Sequence, residues 1–401
     1  MYVFVCAGCG AELTVPLSRV PLPAHAHQRY GNGVQLPALM EPGTFAVEPD
    51  HWGPPWRPWD EAGPAEAAAR GIHAPVHTLS DGARGAIVTA PGDIRGTRLT
   101  PDRCGGACCG LDGGDGPNLS CVACGLAVAS RIDDCSLWQA VWLAPDAVRR
   151  VRVDGAAPPP LTWEELVAEG KRTPLFEPIV TWGASLGTGH YWSWSPRWEA
   201  AAGQALAHLL AASVGRPVTV ADGLVADVFR RTLDALLPAG GPPRHAVLAG
   251  PGRPAPETDA DIHIVPVHPR TGRIWTPPGP AAAPARPVPL PMGVWLSMSS
   301  PRPGPPVPAT GGMPRDVLRD DPLPPRPHSL FRVDSGTFRH TVVRLPAARH
   351  PWLREILENR TRHRAAGLFQ PSGTTPLRRP FRAPRRAGRP RGRGRPARRS
   401  S

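Results

Sequence analysis

The feature that most constrains this chain is the placement of its cysteines. All eight lie between Cys6 and Cys135, and the remaining 266 residues contain none. Two segments share the pattern Cys-x-x-Cys-Gly, namely Cys6-Ala-Gly-Cys-Gly10 and Cys121-Val-Ala-Cys-Gly125. The change in composition after Cys135 predicts a first domain that covers about residues 1–150.

The spacing within these two segments is typical of a zinc site. Two residues between the thiols form a tight turn that aims both sulfurs at one tetrahedral ion, and the following glycine relaxes the backbone for close approach. Two such turns on two hairpins resemble a zinc ribbon. That resemblance implies a structural Zn²⁺ held by Cys6, Cys9, Cys121 and Cys124, in a module with structural, nucleic-acid-binding or protein-binding roles. Four thiolates leave no position open for water or substrate, so such an ion is not catalytic.

A second set of ligands competes with the first. Cys104 and Cys108 lie just before the second Cys-x-x-Cys turn and form a local site with its two thiols. Loop closure favours this local set by roughly 2 kcal/mol, which is small beside the roughly 10–16 kcal/mol of structural zinc binding. In the local arrangement the first turn needs other partners, and His25 and His27 are the nearest. The sequence leaves both pairings open, beside a three-ligand catalytic zinc and reduced thiols without metal.

The cellular location is predicted from the N-terminal residues and from hydropathy. Met1–Val5 is apolar, but no basic residue precedes it and Cys6 interrupts it, so no signal peptide is predicted. The longest apolar stretch, Ala205–Val214, is far shorter than the roughly 20 residues that span a bilayer. We therefore expect a soluble, cytoplasmic protein. Thiols stay reduced in the cytoplasm, which favours metal binding over disulfides.

Proline and glycine divide the chain into compact parts. The 55 prolines and 43 glycines approach the level of low-complexity sequence. We expect an α+β fold with a disordered, Arg-rich tail at 371–401. The other predicted parts are a zinc-ribbon-like, β-rich domain at 1–150, an α+β domain with two helices and a β-hairpin at 161–300, and a Pro-rich segment with a short strand and a helix at 301–370.

Hydrophobic periodicity places elements in the second half of the chain. Helices are predicted at about 198–214 and 220–237. Capping boxes are predicted at Thr162-Trp-Glu-Glu165 and at Thr219-Val-Ala-Asp222. The other predicted elements are strands at Ile262–Val267, Val294–Met298 and Thr341–Leu345, a hairpin turn at His268–Gly272, and a helix at Trp352–Arg360. The two long helices also match a helix-turn-helix, although acidic residues beside Arg230 and Arg231 oppose contact with phosphates.

The basic charge is concentrated in the tail. Eleven arginines and no acidic residue follow Leu377, so 35 basic and 33 acidic residues remain before it. Within the tail, Arg393-Gly-Arg-Pro396 resembles the core of an AT-hook, with Gly392 in place of the usual proline. The resemblance implies that Arg391, Arg393 and Arg395 bind DNA or another polyanion. Codon bias in a G+C-rich genome, without a selected role, explains the same composition.

One further motif suggests an enzyme. Gly183-Ala-Ser185-Leu-Gly187 follows the strand-like Ile179–Trp182 and resembles the nucleophile elbow of α/β-hydrolases. The resemblance implies Ser185 as nucleophile, with Asp222 or Asp227 orienting His245 or His263. The residues after the motif do not show the pattern of the helix that this elbow requires.

A second candidate for catalysis is the pair Asp261 and His263. They share one face of a predicted strand and suggest a metal-dependent or acid–base site, although their alternation with isoleucines is typical of solvated side chains. The sequence therefore favours a zinc-stabilised interaction protein. A hydrolase or metal-dependent enzyme with its site at 161–300 is the alternative.

Overall fold

The computed structural model describes residues 1–30, 35–103, 110–155, 158–172, 179–182, 191–254, 260–277, 285–300, 327 and 329–370. These residues form an α+β fold, which confirms the predicted fold class. We refer to residues 1–155 as the N-terminal lobe and to residues 158–370 as the C-terminal lobe. The predicted tail at 371–401 lies outside the described residues, as do Cys104, Cys108 and Ser185.

Short strands dominate the N-terminal lobe. Its elements are β1 Tyr2–Cys6, β2 Ser18–Arg19, β3 Thr44–Val47, β4 Trp56–Pro58, α1 Trp59–Ala69, β5 Thr78–Ser80, β6 Ile87–Thr89, β7 Thr97–Leu99, β8 Leu119–Cys121, β9 Ala127–Ile132, β10 Ala140–Leu143 and β11 Val148–Arg152. A seven-stranded sheet has the order β2-β3-β6-β10-β9-β8-β7, with only β2 and β3 parallel. Beside it, β1 pairs antiparallel with β11, and β4 pairs with β5.

Side chains on both faces of the seven-stranded sheet are buried. Along β10, Val141 and Leu143 join one apolar cluster, whereas Ala140 and Trp142 join another, as expected from the two-residue repeat of a strand. The first cluster also contains Phe4 of β1 and both Cys6 and Cys121. This shared core fixes the end of β1 against the end of β8.

The C-terminal lobe is built around a parallel sheet. Its elements are α2 Trp163–Arg172, β12 Ile179–Trp182, β13 Tyr191–Trp194, α3 Pro196–Ser213, β14 Val218–Val220, α4 Leu224–Leu236, β15 Arg244–Leu248, β16 Ile262–Val267, β17 Arg286–Pro291, α5 Met292–Ser299, β18 Val333–Asp334, α6 Ser335–Val342, α7 Pro351–Glu358, α8 Arg360–Ala365 and β19 Phe369–Gln370. The sheet has the order β14-β15-β16-β17, and each neighbouring pair is parallel.

Helix α3 is the centre of this lobe. Trp198, Leu206, Leu209 and Leu210 on it are fully buried, because the parallel sheet covers one side and α6 the other. The predicted helix at 352–360 is present as α7. The capping box at Thr162 and Glu165 is confirmed by two reciprocal hydrogen bonds, from the Thr162 amide to Glu165 Oε2 at 2.7 Å and from the Glu165 amide to Thr162 Oγ1 at 3.2 Å.

Several predicted elements in the C-terminal lobe are wrong. The run Val294–Met298 lies in α5 and Thr341–Leu345 spans the end of α6 and the turn after it, because a short apolar run does not distinguish a strand from a buried helix. The helix pair is not a helix-turn-helix, since β14 separates α3 from α4, and α4 is the crossover between parallel strands.

Two turn predictions are also corrected. The predicted capping box at Thr219 is absent, because Thr219 lies within β14 and the residue that caps α4 is Gly223. The hairpin after β16 is reduced to an isolated bridge between Val267 and Ile274. The turn itself closes with the His268 amide donating to the Arg273 carbonyl at 2.8 Å.

Candidate metal centre

Two backbone turns with the same hydrogen bonds present the four cysteines. In the first, the Cys6 amide donates to the Ala11 carbonyl at 2.8 Å and the Gly10 amide donates to the Cys6 carbonyl at 2.9 Å. In the second, the Cys121 amide donates to the Leu126 carbonyl at 2.8 Å and the Gly125 amide to the Cys121 carbonyl at 2.8 Å. Cys6 ends β1 and Cys121 ends β8, so each turn is attached to a strand of the core.

The sulfur atoms of the two turns form one cluster. The ligand atoms of Cys6, Cys9, Cys121 and Cys124 all lie within 4.8 Å of one another, so this group can hold a metal ion. The Sγ atoms of Cys6 and Cys124 are 3.5 Å apart, and those of Cys9 and Cys121 are 3.7 Å apart. A tetrahedral Zn²⁺ with Zn–S bonds of about 2.3 Å requires sulfurs about 3.8 Å apart. The donor set and its spacing therefore fit a divalent ion with four thiolate ligands.

The electrostatics of the site also favour a cation. Burial opposes ionisation of Cys121, but hydrogen bonds from the backbone amides of Cys124 and Ala123 outweigh it and lower the pKa of Cys121 to about 7. The Leu126 amide stabilises the Cys124 thiolate, yet the nearby Cys6 and Cys9 sulfurs raise the pKa of Cys124 to about 12. Without a cation the cluster thus resists full ionisation, and a metal ion removes that repulsion.

The two cysteine turns are far apart in sequence, and a third segment of the chain connects them in the fold. Between Cys9 and Cys121 lie 111 residues, far more than in a compact ribbon. The chain returns beside the first turn at residues 94–96, where the Arg95 amide donates to the Leu13 carbonyl at 2.8 Å. Gly96 then accepts from the Val122 amide at 2.9 Å, which links the two turns through one intermediate segment. The backbone of this segment fixes the distance between the cysteine pairs.

Other candidate ligands lie elsewhere or outside the described residues. Cys104 and Cys108 are among the residues that the structure does not describe. His25 packs against Trp138 with centroids 4.3 Å apart, and its burial lowers its pKa to about 3. Cys135 is buried away from the four-cysteine group. Neither His25 nor His27 belongs to that group.

Of the residues suggested for catalysis, Ser185 lies outside the described residues, Asp222 is paired with Arg230, and His245 Nδ1 lies 2.9 Å from Thr219 Oγ1. Asp261 Oδ2 accepts from the His245 amide at 2.9 Å, and its Oδ1 lies 3.2 Å from the Arg244 guanidinium, so the carboxylate joins β15 to β16. The pKa of His263 is lowered by burial alone. The strands β12 and β13, which flank the segment that contains Ser185, pair antiparallel.

The remaining observations concern partners. Arg391, Arg393 and Arg395 lie outside the described residues. No helix in the described part of the chain combines the length and the apolar character needed to cross a bilayer. Comparison of the chain with protein-family models, with curated proteins and with solved structures finds no match. Any functional conclusion therefore depends on the site itself.

Sequence reasoning missed a second concentration of polar groups. Glu48, Asp50 and His51 follow β3, and they face His340 of α6 across the contact between the two lobes. These residues come from distant parts of the chain and share no spacing pattern. The only available signal was a carboxylate next to an apolar strand, which is common on protein surfaces.

Proposed function

We propose that this protein is a zinc-stabilised interaction protein whose four-cysteine site is structural. The observation that carries the proposal is the close approach of Cys6, Cys9, Cys121 and Cys124, with every pair of ligand atoms within 4.8 Å. Zn²⁺ is the ion most often bound by four thiolates in a tetrahedral arrangement. Such a site has no vacant position, so the ion stabilises the fold and performs no chemistry on a substrate.

The test of the metal is elemental analysis of the purified native protein. We expect one zinc per chain in the wild type and its loss in Cys6→Ser and Cys121→Ser. Cys135→Ser is the matched control, because Cys135 is also buried but lies outside the group, and it should keep the ion. Full zinc retention in Cys6→Ser together with loss in Cys108→Ser would assign the ion to the local set of Cys104, Cys108, Cys121 and Cys124 instead.

For the partner, we propose a polyanion, with DNA as the best match, bound through Arg391, Arg393 and Arg395. The argument is the sequence of the tail: eleven arginines and no acidic residue follow Leu377, whereas charges in the rest of the chain nearly cancel. Each phosphate neutralised by arginine lowers the slope of log K against log salt by about 0.9 for duplex DNA. A tail of this kind predicts binding that weakens steeply with salt.

The partner is tested by comparing the whole chain with residues 1–377 in a binding titration at several salt concentrations. We expect the truncated chain to lose most of its affinity for an A·T-rich duplex. The variant with Arg391, Arg393 and Arg395 all replaced by lysine keeps the charge, so equal binding by it points to charge alone and weaker binding to minor-groove recognition. Equal affinity of the truncated and complete chains rules out the tail, while leaving the zinc site untouched.

A further inference from the structure

A cavity of about 370 Å³ lies where the two lobes meet. Helix α6 forms one wall, and the chain after β3 together with the segment between α1 and β5 forms the other. None of the four clustered cysteines lines it, so the cavity is separate from the metal centre. A cleft between lobes that collects polar groups from several segments is the usual place for a small-molecule site.

Glu48 places a buried carboxylate at this cavity. The residue is 1 % exposed, and its backbone is fixed by hydrogen bonds to Ala86 at 2.9 Å and from Gly85 at 3.1 Å. Its Oε1 accepts from the Asp50 amide at 3.0 Å, and its Oε2 lies 2.7 Å from Nε2 of His27. These last two atoms, Oε2 and Nε2, have no other hydrogen-bond partner in the described chain. A buried carboxylate is destabilising unless its oxygens accept hydrogen bonds, so Glu48 determines which nitrogen of His27 carries the proton.

The ring of His27 packs against two other rings. Its centroid lies 5.0 Å from that of Trp52 and 4.1 Å from that of His340. Two acceptor atoms only 2.7 Å apart would repel each other, so we assign the ring proton to Nε2, beside Glu48 Oε2, and leave Nδ1 as an acceptor. No residue of the described chain hydrogen-bonds to Nδ1. Since His27 lines the cavity, Nδ1 supplies one acceptor for a ligand O–H or N–H group.

The same geometry argues against a second metal site. The rings of His27 and His340 are stacked with only 26° between their planes. Nitrogen lone pairs lie in the ring planes, so those of stacked rings do not converge on one ion. In the described residues, the four cysteines are the only group of three or more ligands close enough to share a metal. His27 is thus arranged to accept a hydrogen bond and not to bind metal.

The charges around the cavity favour an anion. Four arginines line it, Arg29, Arg70, Arg339 and Arg344, against two carboxylates, Glu48 and Asp50. Asp50 is paired with Arg344. Arg29 also lines the cavity, and Asp112 acts on its guanidinium only through longer-range attraction. No carboxylate in the described part of the chain forms an ion pair with Arg29. Its guanidinium therefore supplies an attractive site for a carboxylate or phosphate group.

Apolar side chains complete the lining of the cavity. Trp52, Ile72 and Val76 face it from the N-terminal lobe and Val343 from the C-terminal lobe. Such a surface gains free energy by covering hydrocarbon or an aromatic ring, and it offers nothing to a small inorganic anion. The ligand that matches all three features has an anionic group, an apolar body and a hydroxyl or amine.

We propose that the cavity between the lobes binds a small organic acid that carries a hydroxyl group, with His27 Nδ1 accepting the hydroxyl proton and Arg29 contacting the acid. The site uses neither the zinc centre nor the tail, so it stands independently of the proposed function.

The test uses two matched pairs of acids on the full-length protein, followed by calorimetry and tryptophan fluorescence. Mandelate and 3-phenyllactate carry the hydroxyl, whereas phenylacetate and 3-phenylpropionate lack it. We expect at least one hydroxy acid to bind at least about 10-fold more tightly than its partner, because a site built for a hydroxyl leaves its acceptor unpaired with the other acid. No binding of any of the four at millimolar concentration, or equal binding within both pairs, overturns the proposal.

Two variants assign the roles of the residues. His27→Phe combined with Glu48→Gln keeps the aromatic stack and removes both the acceptor and the buried charge, so we expect equal affinity for the two acids of each pair. Arg29→Met should weaken both acids of a pair alike, whereas Arg95→Met, an exposed arginine that does not line the cavity, should weaken neither. A preference for the hydroxy acid that persists in the double variant removes His27 from the site.

Discussion

Gly10 and Gly125 occupy equivalent positions in the two cysteine turns, with φ angles of +80° and +79°. Each follows the second cysteine of its turn, and each donates its amide proton to the carbonyl of the first cysteine. A residue with a side chain is strained in this left-handed region by about 1–2 kcal/mol. The two turns therefore share one backbone conformation, and both require glycine directly after the second cysteine.

Replacing Gly125 by alanine tests this requirement. No atom lies within 4 Å of a Cβ at this position, so the expected loss of about 1–2 kcal/mol comes from backbone strain alone. Gly8→Ala is the control, because Gly8 has no positive φ and its Cβ would make ordinary contacts with Cys124 Sγ and the Leu126 side chain, each at 3.5 Å. Urea denaturation of both variants measures the difference. Equal stability of Gly125→Ala and the wild type contradicts the strain argument.

Metal removal should act on one lobe. A chelator is expected to expose the amides of β1 and β8 to hydrogen exchange, because an ion bound by the four cysteines would link the ends of these strands, while α3 remains protected within the core of the C-terminal lobe. Hydrogen-exchange mass spectrometry before and after chelation measures both regions. Unchanged protection of the two strands would show that the cysteines contribute no metal-dependent stability.

Glu199 predicts a pH dependence of stability. The carboxyl group is buried, and this burial raises its pKa well above the ordinary value, despite a 2.6 Å hydrogen bond from Gln370 Nε2 to Oε1. Because the folded pKa is the higher one, the group's contribution is fully present below the unfolded pKa and is lost as pH rises towards the folded pKa. Glu199→Gln should therefore raise the melting temperature at neutral pH and flatten its fall between acidic and neutral pH. The exposed Glu355→Gln should change neither, and a parallel shift in both variants would refute the assignment to burial.

Close packing of α3 on α6 predicts a second stability effect. A Cβ on Gly203 would lie 2.8 Å from the Asp334 carbonyl oxygen and 3.0 Å from the Phe338 amide nitrogen, so the backbone of α6 must shift to accept it. Overpacking of this kind destabilises by about 1–3 kcal/mol. Thermal denaturation of Gly203→Ala should show that loss, and its neighbour Gln204→Ala provides a control on the same helix. A native melting temperature in Gly203→Ala would mean that α6 is not held at this contact.

The candidate metal site was the part of this protein that its sequence predicted best. The two cysteines of each turn, Cys6 with Cys9 and Cys121 with Cys124, are close in sequence. The glycine after each pair indicates the positive φ angle that the turn requires. Which cysteine pairs lie close enough to share a metal ion depends on how the fold brings β1 and β8 together. No local sequence pattern predicts that contact. Loop-closure entropy is too small to decide such a pairing.

The architecture of the C-terminal lobe was less accessible for a different reason. The long helix α3 is buried on nearly all sides, so its apolar pattern identifies it easily. The short run at Val294–Met298 is equally apolar, and Trp295 there donates its indole N–H to the Ile264 carbonyl at 3.2 Å from within a helix. The hydrophobic pattern of five residues does not distinguish a strand from a buried helix. The residue that Trp295 contacts, Ile264, lies about 30 residues away in sequence.

The pairing of β1 has a consequence for how the chain is made. Its only strand partner among the described residues is β11, and the cysteine at its end meets sulfurs from residues 121 and 124. During translation at about 5–20 residues per second, the first strand therefore waits roughly 7–30 s before its partner has been synthesised. For that period the thiols of Cys6 and Cys9 lack their two partner thiols, so the first cysteine turn is open to adventitious metals and to oxidation.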